Sequence, residues 1–183
     1  MSTLSAASSI LQELERTLEA VKPSEIEALT KRITEADKIF VAGAGRSGLM
    51  MRAFAMRLMH MGFRAYVVGE TVTPGIAEGD LLLIGSGSGE TKTLTSMAAK
   101  AQSIGAAVGV VTIMPESTLG AAASSRVTIP AVTKDSTSGG SSQPMGTLFE
   151  QSLLLLLDTI VLNLMQQQKL QGTAMYNNHA NLE

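Results

Sequence analysis

Twice in this chain a short, wholly apolar run ends in a cluster of glycines and gives way to a helical pattern. Ile39-Phe40-Val41-Ala42 runs into Gly43-Ala44-Gly45-Arg46-Ser47-Gly48, and Leu81-Leu82-Leu83-Ile84 runs into Gly85-Ser86-Gly87-Ser88-Gly89-Glu90-Thr91. Apolar runs of four without polar alternation suit strands covered on both faces, the situation of a parallel sheet under helices. A strand, a glycine turn and a helix form one crossover unit, and the rest of the chain supplies more of them. Ala65 to Val68, Ala106 to Ile113 and Val127 to Ile129 read as strands, and Ser47 to Met61 and Thr91 to Ile104 as helices. A short Ala-rich helix separates the last two strands. The fold class expected is α/β: a five-stranded parallel sheet with right-handed crossovers and helices on both faces.

Two helices precede the first strand. Ile10, Leu11, Leu14, Leu18 and Val21 share a face until Pro23 intervenes. Ser24 and Glu27 read as a capping box for a second helix with Ile26, Leu29 and Ile33 as its apolar face. Residues 1–36 are therefore read as an N-terminal helical arm, and 37–183 as the domain proper. A chain of 183 residues has room for about one domain of ~150. The domain closes with a long apolar helix from about Gly146 to Gln168. The Ser-, Thr- and Gly-rich stretch Thr133 to Ser142 reads as a loop on the rim of a site.

Composition narrows the function classes. A formal net charge of -2 and the lack of any basic cluster exclude a generic nucleic-acid arm. Six aromatic residues, none of them Trp, leave little for a base-stacking platform. Zero cysteines remove disulfides, thiolate metal sites and cysteine nucleophiles together. The oiliest stretch, Thr147 to Met165, contains Glu150, Gln151, Asp158 and Asn163, and its longest pure run is Leu153 to Leu157, so it reads as a buried helix. No targeting segment is seen, and a cytoplasmic, soluble protein is expected. Only 16% of residues are charged, against a usual share of about 25%. That shortage, with two helices apolar nearly all round, points to a homo-oligomer, with a tetramer as the expected count.

The chemistry lies in the glycine turns. Gly43-Ala44-Gly45-Arg46-Ser47-Gly48 is a literal G-x-G-x-x-G between strand and helix, with Glu70 after the next strand, which admits a dinucleotide reading. The same turn, with Ser47 at a helix start, suits a simple phosphate equally well. The second turn separates the two readings. There Ser86, Ser88 and Thr91 place three hydroxyls where glycine amides and a helix N-terminus converge. A sugar phosphate held between two strand ends can use both turns; a dinucleotide needs one.

The run Ser86-Gly87-Ser88-Gly89-Glu90-Thr91 resembles the signature of the sugar isomerase (SIS) domains, which bind phosphosugars at the strand ends of a flavodoxin-like or Rossmann-like parallel sheet. Within them the chain is most similar to the 6-phospho-3-hexuloisomerases. The similarity lies in Gly45-Arg46-Ser47-Gly48, Phe54-Ala55-Met56-Arg57-Leu58-Met59-His60, Gly69-Glu70-Thr71-Val72-Thr73-Pro74, Gln143-Pro144-Met145-Gly146-Thr147-Leu148-Phe149-Glu150 and His179-Ala180-Asn181-Leu182-Glu183. It covers roughly residue 35 to the end.

That resemblance implies interconversion of D-arabino-hex-3-ulose 6-phosphate and D-fructose 6-phosphate. It also implies a place in formaldehyde fixation after 3-hexulose-6-phosphate synthase, which makes it a functional neighbour. Alternatives are another isomerase of the same kind, such as one for arabinose 5-phosphate, or a phosphosugar-sensing domain without catalysis. The substrate dictates the chemistry: moving a carbonyl from C3 to C2 needs a base for the C2 proton and passes through a 2,3-enediol(ate).

Glu150, in the first turn of the long helix beside Leu148, Phe149 and Leu153, is the expected base. Apolar neighbours favour its neutral form and the helix N-terminus its carboxylate. His60 is the expected shuttle between O2 and O3. The phosphate is assigned to Gly45, Arg46, Ser47, Ser86, Gly87, Ser88, Gly89 and Thr91. Arg46 can neutralise the phosphate or the developing enolate oxygen, or stand solvated. Glu70 and His179 are read as supporting residues or as contributions to a neighbouring subunit's site. No cofactor is expected, and no metal, since no third ligand joins the two histidines.

Overall fold

The computed structural model describes residues 3–132 and 141–182. Its elements run α1 (Thr3–Glu19), α2 (Pro23–Glu35), β1 (Ile39–Gly43), α3 (Gly45–His60), β2 (Ala65–Val67), β3 (Leu81–Gly85), α4 (Lys92–Ile104), β4 (Ala107–Thr112), α5 (Thr118–Ala122), β5 (Ser125–Thr128), α6 (Thr147–Gln168) and α7 (Gly172–Tyr176). All five strands are parallel, in the order β2-β1-β3-β4-β5. This is the flavodoxin-like order, whose crossovers leave β1 in opposite directions and open a crevice between β1 and β3. The pairing places Gly43 opposite Gly85, so both glycine turns start at the same level of the sheet.

The sheet's two faces follow from alternation along the strands. Ile39 and Val41 of β1, with Leu81 and Leu83 of β3, lie in one core with Leu29 and Ile33 of α2, Phe54 and Leu58 of α3, and Leu153 and Leu157 of α6. Phe40, Ala42, Leu82 and Ile84 face the other way, onto Leu94, Ala98 and Ala101 of α4 and Leu119 of α5. Each fully buried Leu, Ile or Phe contributes about 1.5–3 kcal/mol, so the wholly apolar strands stabilise both layers at once. α6 is the one described helix long and apolar enough to cross a membrane. Its Leu148, Phe149, Leu153, Leu156, Leu157, Ile160 and Leu164 are instead buried in the protein core.

Several local expectations need correction. No capping box forms from Ser24 and Glu27: Pro23 occupies the first turn of α2, the N-cap is Lys22, and no side chain caps it. Proline supplies the helical φ and lacks the N–H that a cap would satisfy. Leu11 is 67% exposed rather than on the buried face of α1. α3 starts at Gly45, two residues before the expected Ser47, because Gly45 adopts φ +55° and turns the chain directly into the helix. α7 was not foreseen. Of the stretch Thr133 to Ser142, residues 133–140 lie outside the described residues.

Candidate active site

The first turn works through close approach. A Cβ on Gly48 would meet the Gly43 carbonyl oxygen at 2.6 Å, and one on Gly43 would meet the Gly48 Cα at 2.9 Å. Two bare glycines thus let α3 begin hard against the end of β1. The second turn is pinned from β4: the Ser86 amide donates to the Val111 carbonyl, and the Ile113 amide and Thr112 hydroxyl both donate to the Gly87 carbonyl. Glu90 ties it to α5, accepting from the Thr118 amide at 2.7 Å and the Thr118 hydroxyl at 2.8 Å. These bonds, the amide's first, hold the Glu90 carboxyl below its ordinary range.

Between the turns lies a cavity of about 250 Å³, lined by Ala44 and Ser47 of the first turn, Gly85, Ser86, Gly87, Ser88 and Thr91 of the second, with Ile113, Gly146 and Phe149. Ser86 Oγ accepts from the Gly89 amide at 3.2 Å and Ser88 Oγ from the Glu90 amide at 3.3 Å. Each serine oxygen is thereby oriented while its proton remains available for donation. Thr91 is the N-cap of α4 and makes no side-chain cap bond there. Residues at or beside the starts of α3, α4 and α6 line this one space, and each helix brings a positive dipole end. Such a convergence of helix starts favours a negatively charged group.

Two charged groups stand beside the cavity, Arg46 and Glu150. Glu150, one turn into α6, is buried, and its Oε2 lies 3.6 Å from Arg46 Nε. Arg46 Nη1 also donates to the Thr147 hydroxyl at 3.3 Å, and that hydroxyl donates to the Pro144 carbonyl at 2.7 Å. Glu150 does not line the cavity itself; Gly146 and Phe149, four residues and one residue before it, do. The arrangement places a buried carboxyl group and a partly exposed guanidinium beside the cavity.

The remaining expected residues are elsewhere. His60 is buried at the far end of α3 from Arg46, and at about 1.5 Å per residue the two stand roughly 21 Å apart along that helix. Its ring stacks on His179 with centroids 5.3 Å apart, and Nδ1 lies 3.3 Å from Arg57 Nη1. Burial, then the charge of Arg57, then His179 push the His60 imidazole below its ordinary value and favour the neutral ring. Glu70 pairs with Arg52 at 2.6 Å, away from the cavity. The structure therefore joins Arg46, Ser47, the second turn and Glu150, and within one chain leaves His60, His179 and Glu70 apart from them. Among the described residues no group of three His, Asp or Glu side chains is placed to hold a metal ion.

Sequence reasoning missed Phe149, Ile113 and Ala44 as cavity walls. Their apolar side chains carry no chemical signal, and only the fold brings the first turn, the residue after β4 and the start of α6 to one space.

The SIS domain family model matches residues 32–155. A 3-hexulose-6-phosphate isomerase of Bacillus subtilis (strain 168) is 49% identical over 185 residues, covering all of both chains. One of Mycobacterium gastri is 40% identical over 95% of this chain and 88% of its own. The crystal structure of a Methanococcus jannaschii protein, described as inferring a 3-hexulose-6-phosphate isomerase function, superposes with a TM-score of 0.86 at 31% identity, covering 98% of this chain and 99% of that one. On these matches, and on the paired glycine turns that frame the cavity, the chain belongs to the SIS domain family.

Proposed function

We propose that this protein is a 3-hexulose-6-phosphate isomerase, interconverting D-arabino-hex-3-ulose 6-phosphate and D-fructose 6-phosphate. The observation that carries the reading is the single cavity shared by Ser47 and the Ser86–Thr91 turn, with the Arg46–Glu150 pair at its edge. The phosphate sits among Ser47, Ser86, Ser88 and Thr91 and the helix starts, leaving the sugar to extend toward Glu150. The Glu150 carboxylate takes the C2 proton. The C–H electrons form the C2–C3 double bond, and the C3 carbonyl oxygen becomes the enediolate oxygen. Arg46 stabilises that negative charge. A proton then passes from O2 to O3, and Glu150 returns its proton at C3 as the C2 carbonyl forms. No redox partner enters, because the carbonyl moves within one molecule.

His60 or His179 is assigned the O2-to-O3 transfer. Their distance from Glu150 in one chain supports a homo-oligomer, with a tetramer proposed, in which a neighbouring copy brings the stacked pair to the site. Glu70 is assigned a supporting role through Arg52. The division this reading uses is an isomerase body of residues 37–183 with the 1–36 helical arm packed along it. The substrate is supplied by the aldol addition of formaldehyde to ribulose 5-phosphate, the reaction of 3-hexulose-6-phosphate synthase, and a phosphorylated sugar of this kind places the enzyme in the cytoplasm.

The test is a coupled assay: purified protein is given 3-hexulose 6-phosphate, and fructose 6-phosphate is read through a dehydrogenase. Rapid product formation is the expected result. No product, or turnover of arabinose 5-phosphate alone, removes the assignment.

A further inference from the structure

Glu13, in the middle of α1, reaches the segment that leads into α6. Its carboxylate accepts from the Ser141 hydroxyl at 2.6 Å, the Ser142 amide at 2.7 Å and the Gln143 side-chain amide at 3.3 Å. Burial alone would raise its pKa, yet these bonds, with Ser141's the strongest, hold it at about 2, so the group is a carboxylate throughout the physiological range. α1 precedes the 32–155 span matched by the family model, so nothing in that match gives this contact a role.

The segment it grips carries an independent sign of constraint. Met145 has φ +55°, a left-handed conformation that a non-glycine side chain resists, and its side chain is 72% exposed, so packing does not hold it there. Such a residue persists only where its surroundings fix both ends of the turn. Downstream, the Thr147 amide and hydroxyl both donate to the Pro144 carbonyl. Upstream, the bonds to Glu13 do the fixing. Through Thr147 the turn then connects to Arg46, and Arg46 to Glu150.

We propose that Glu13 is a positioning residue for the isomerase site: from α1 it clamps residues 141–143, holds the strained turn at Met145, and so sets the first turn of α6 with Glu150 against Arg46. The proposal rests on the function assigned above. The Ser86–Thr91 side of the cradle is fixed separately, by β4 and α5, so loosening the clamp misplaces the base while most of the phosphate contacts stay in place.

The experiment compares wild type with Glu13→Gln, which keeps the size but loses the charge and replaces one of the two accepting oxygens with a donor. The expected result is a fall in kcat of about tenfold, within the roughly hundredfold that a 1 Å misplacement costs. KM is expected to stay within about twofold and the melting temperature close to wild type. Glu13→Asp retains the charge on a shorter arm and is expected to restore part of the rate. Leu14→Ala, a cavity in the buried face of α1, serves as the comparison: it lowers the melting temperature but leaves kcat at 20 °C near wild type. An unchanged kcat in Glu13→Gln, or a loss that merely tracks its melting temperature, overturns the proposal. Inactive wild type would instead defeat the functional assignment, so the two failures are distinct. Amide hydrogen exchange at 145–150, faster in Glu13→Gln than in wild type, reads the clamp without using activity; unchanged exchange there also overturns it.

Discussion

Ser88 lines the cavity and holds its oxygen toward the Glu90 amide, so in the proposed reading its proton goes to the substrate phosphate. A hydrogen bond to a charged group contributes about 1.5–3 kcal/mol. Ser88→Ala is therefore expected to raise KM for the phosphosugar about tenfold or more and to weaken competition by inorganic phosphate. An unchanged KM would remove Ser88 from the cradle. His60 makes a prediction in pH instead. Its pKa is lowered below 6.5 in the folded chain, so folding favours the neutral ring. The unfolded chain binds the proton more readily, and that stability is present above 6.5 and is lost as pH falls toward the folded value. The melting temperature of wild type is expected to fall as pH drops through this window, while His60→Asn shows a flatter profile; identical profiles would show that His60 does not titrate as placed.

At the scale of elements, the fold was legible wherever a local rule applied. Glycine turns after apolar runs located β1 with α3 and β3 with α4, since a buried parallel strand has no polar alternation and its turn needs bare backbone. The turns that line the cavity were legible for the same reason, and Glu150 stood out as an acid in the first turn of an oily helix. What sequence could not give were pairings between distant segments. Glu13 meets Gln143 from 130 residues away, and nothing in either segment names the other. His60 ends the helix that begins at the first glycine turn, which read as nearness to the site, whereas within one chain helical rise sets it far from Arg46. The capping box failed because Pro23 already satisfied the helix start. Gly48 yields the prediction at this scale. A Cβ there runs into the Gly43 carbonyl, which is strand backbone and cannot move aside. Gly48→Ala is expected to cost about 1–3 kcal/mol, the usual penalty of overpacking, seen as a lower melting temperature. A melting temperature equal to wild type would mean that the close approach of α3 to β1 is not needed.

For the whole molecule, one chain leaves apolar surface in view. Leu49, Met56 and Met59 of α3 are 59%, 45% and 39% exposed, and Leu155 and Leu162 of α6 are 39% and 64% exposed. α3 and α6 pack against each other, so these residues belong to neighbouring helices whose other faces are already buried. With 16% charged residues, such surface favours self-association. Light scattering at micromolar concentration is expected to give four times the protomer mass, or twice it if tetramers dissociate to dimers. A stable and fully active monomer would contradict both the assembly and the sharing of the histidine pair between copies.

The central claim is that Glu150 moves a carbon-bound proton between C2 and C3, and isotope exchange reads that step alone. In D₂O, the proton that Glu150 has taken exchanges with solvent in competition with its return, so wild type converting 3-hexulose 6-phosphate should place some solvent deuterium at C3 of fructose 6-phosphate. General acid–base catalysis contributes roughly 10²- to 10⁴-fold, so Glu150→Gln should lose at least about a hundredfold in both turnover and deuterium incorporation, with KM little changed. A Glu150→Gln enzyme that exchanges and turns over at the wild-type rate would contradict the account, and would move the base to His60 or His179.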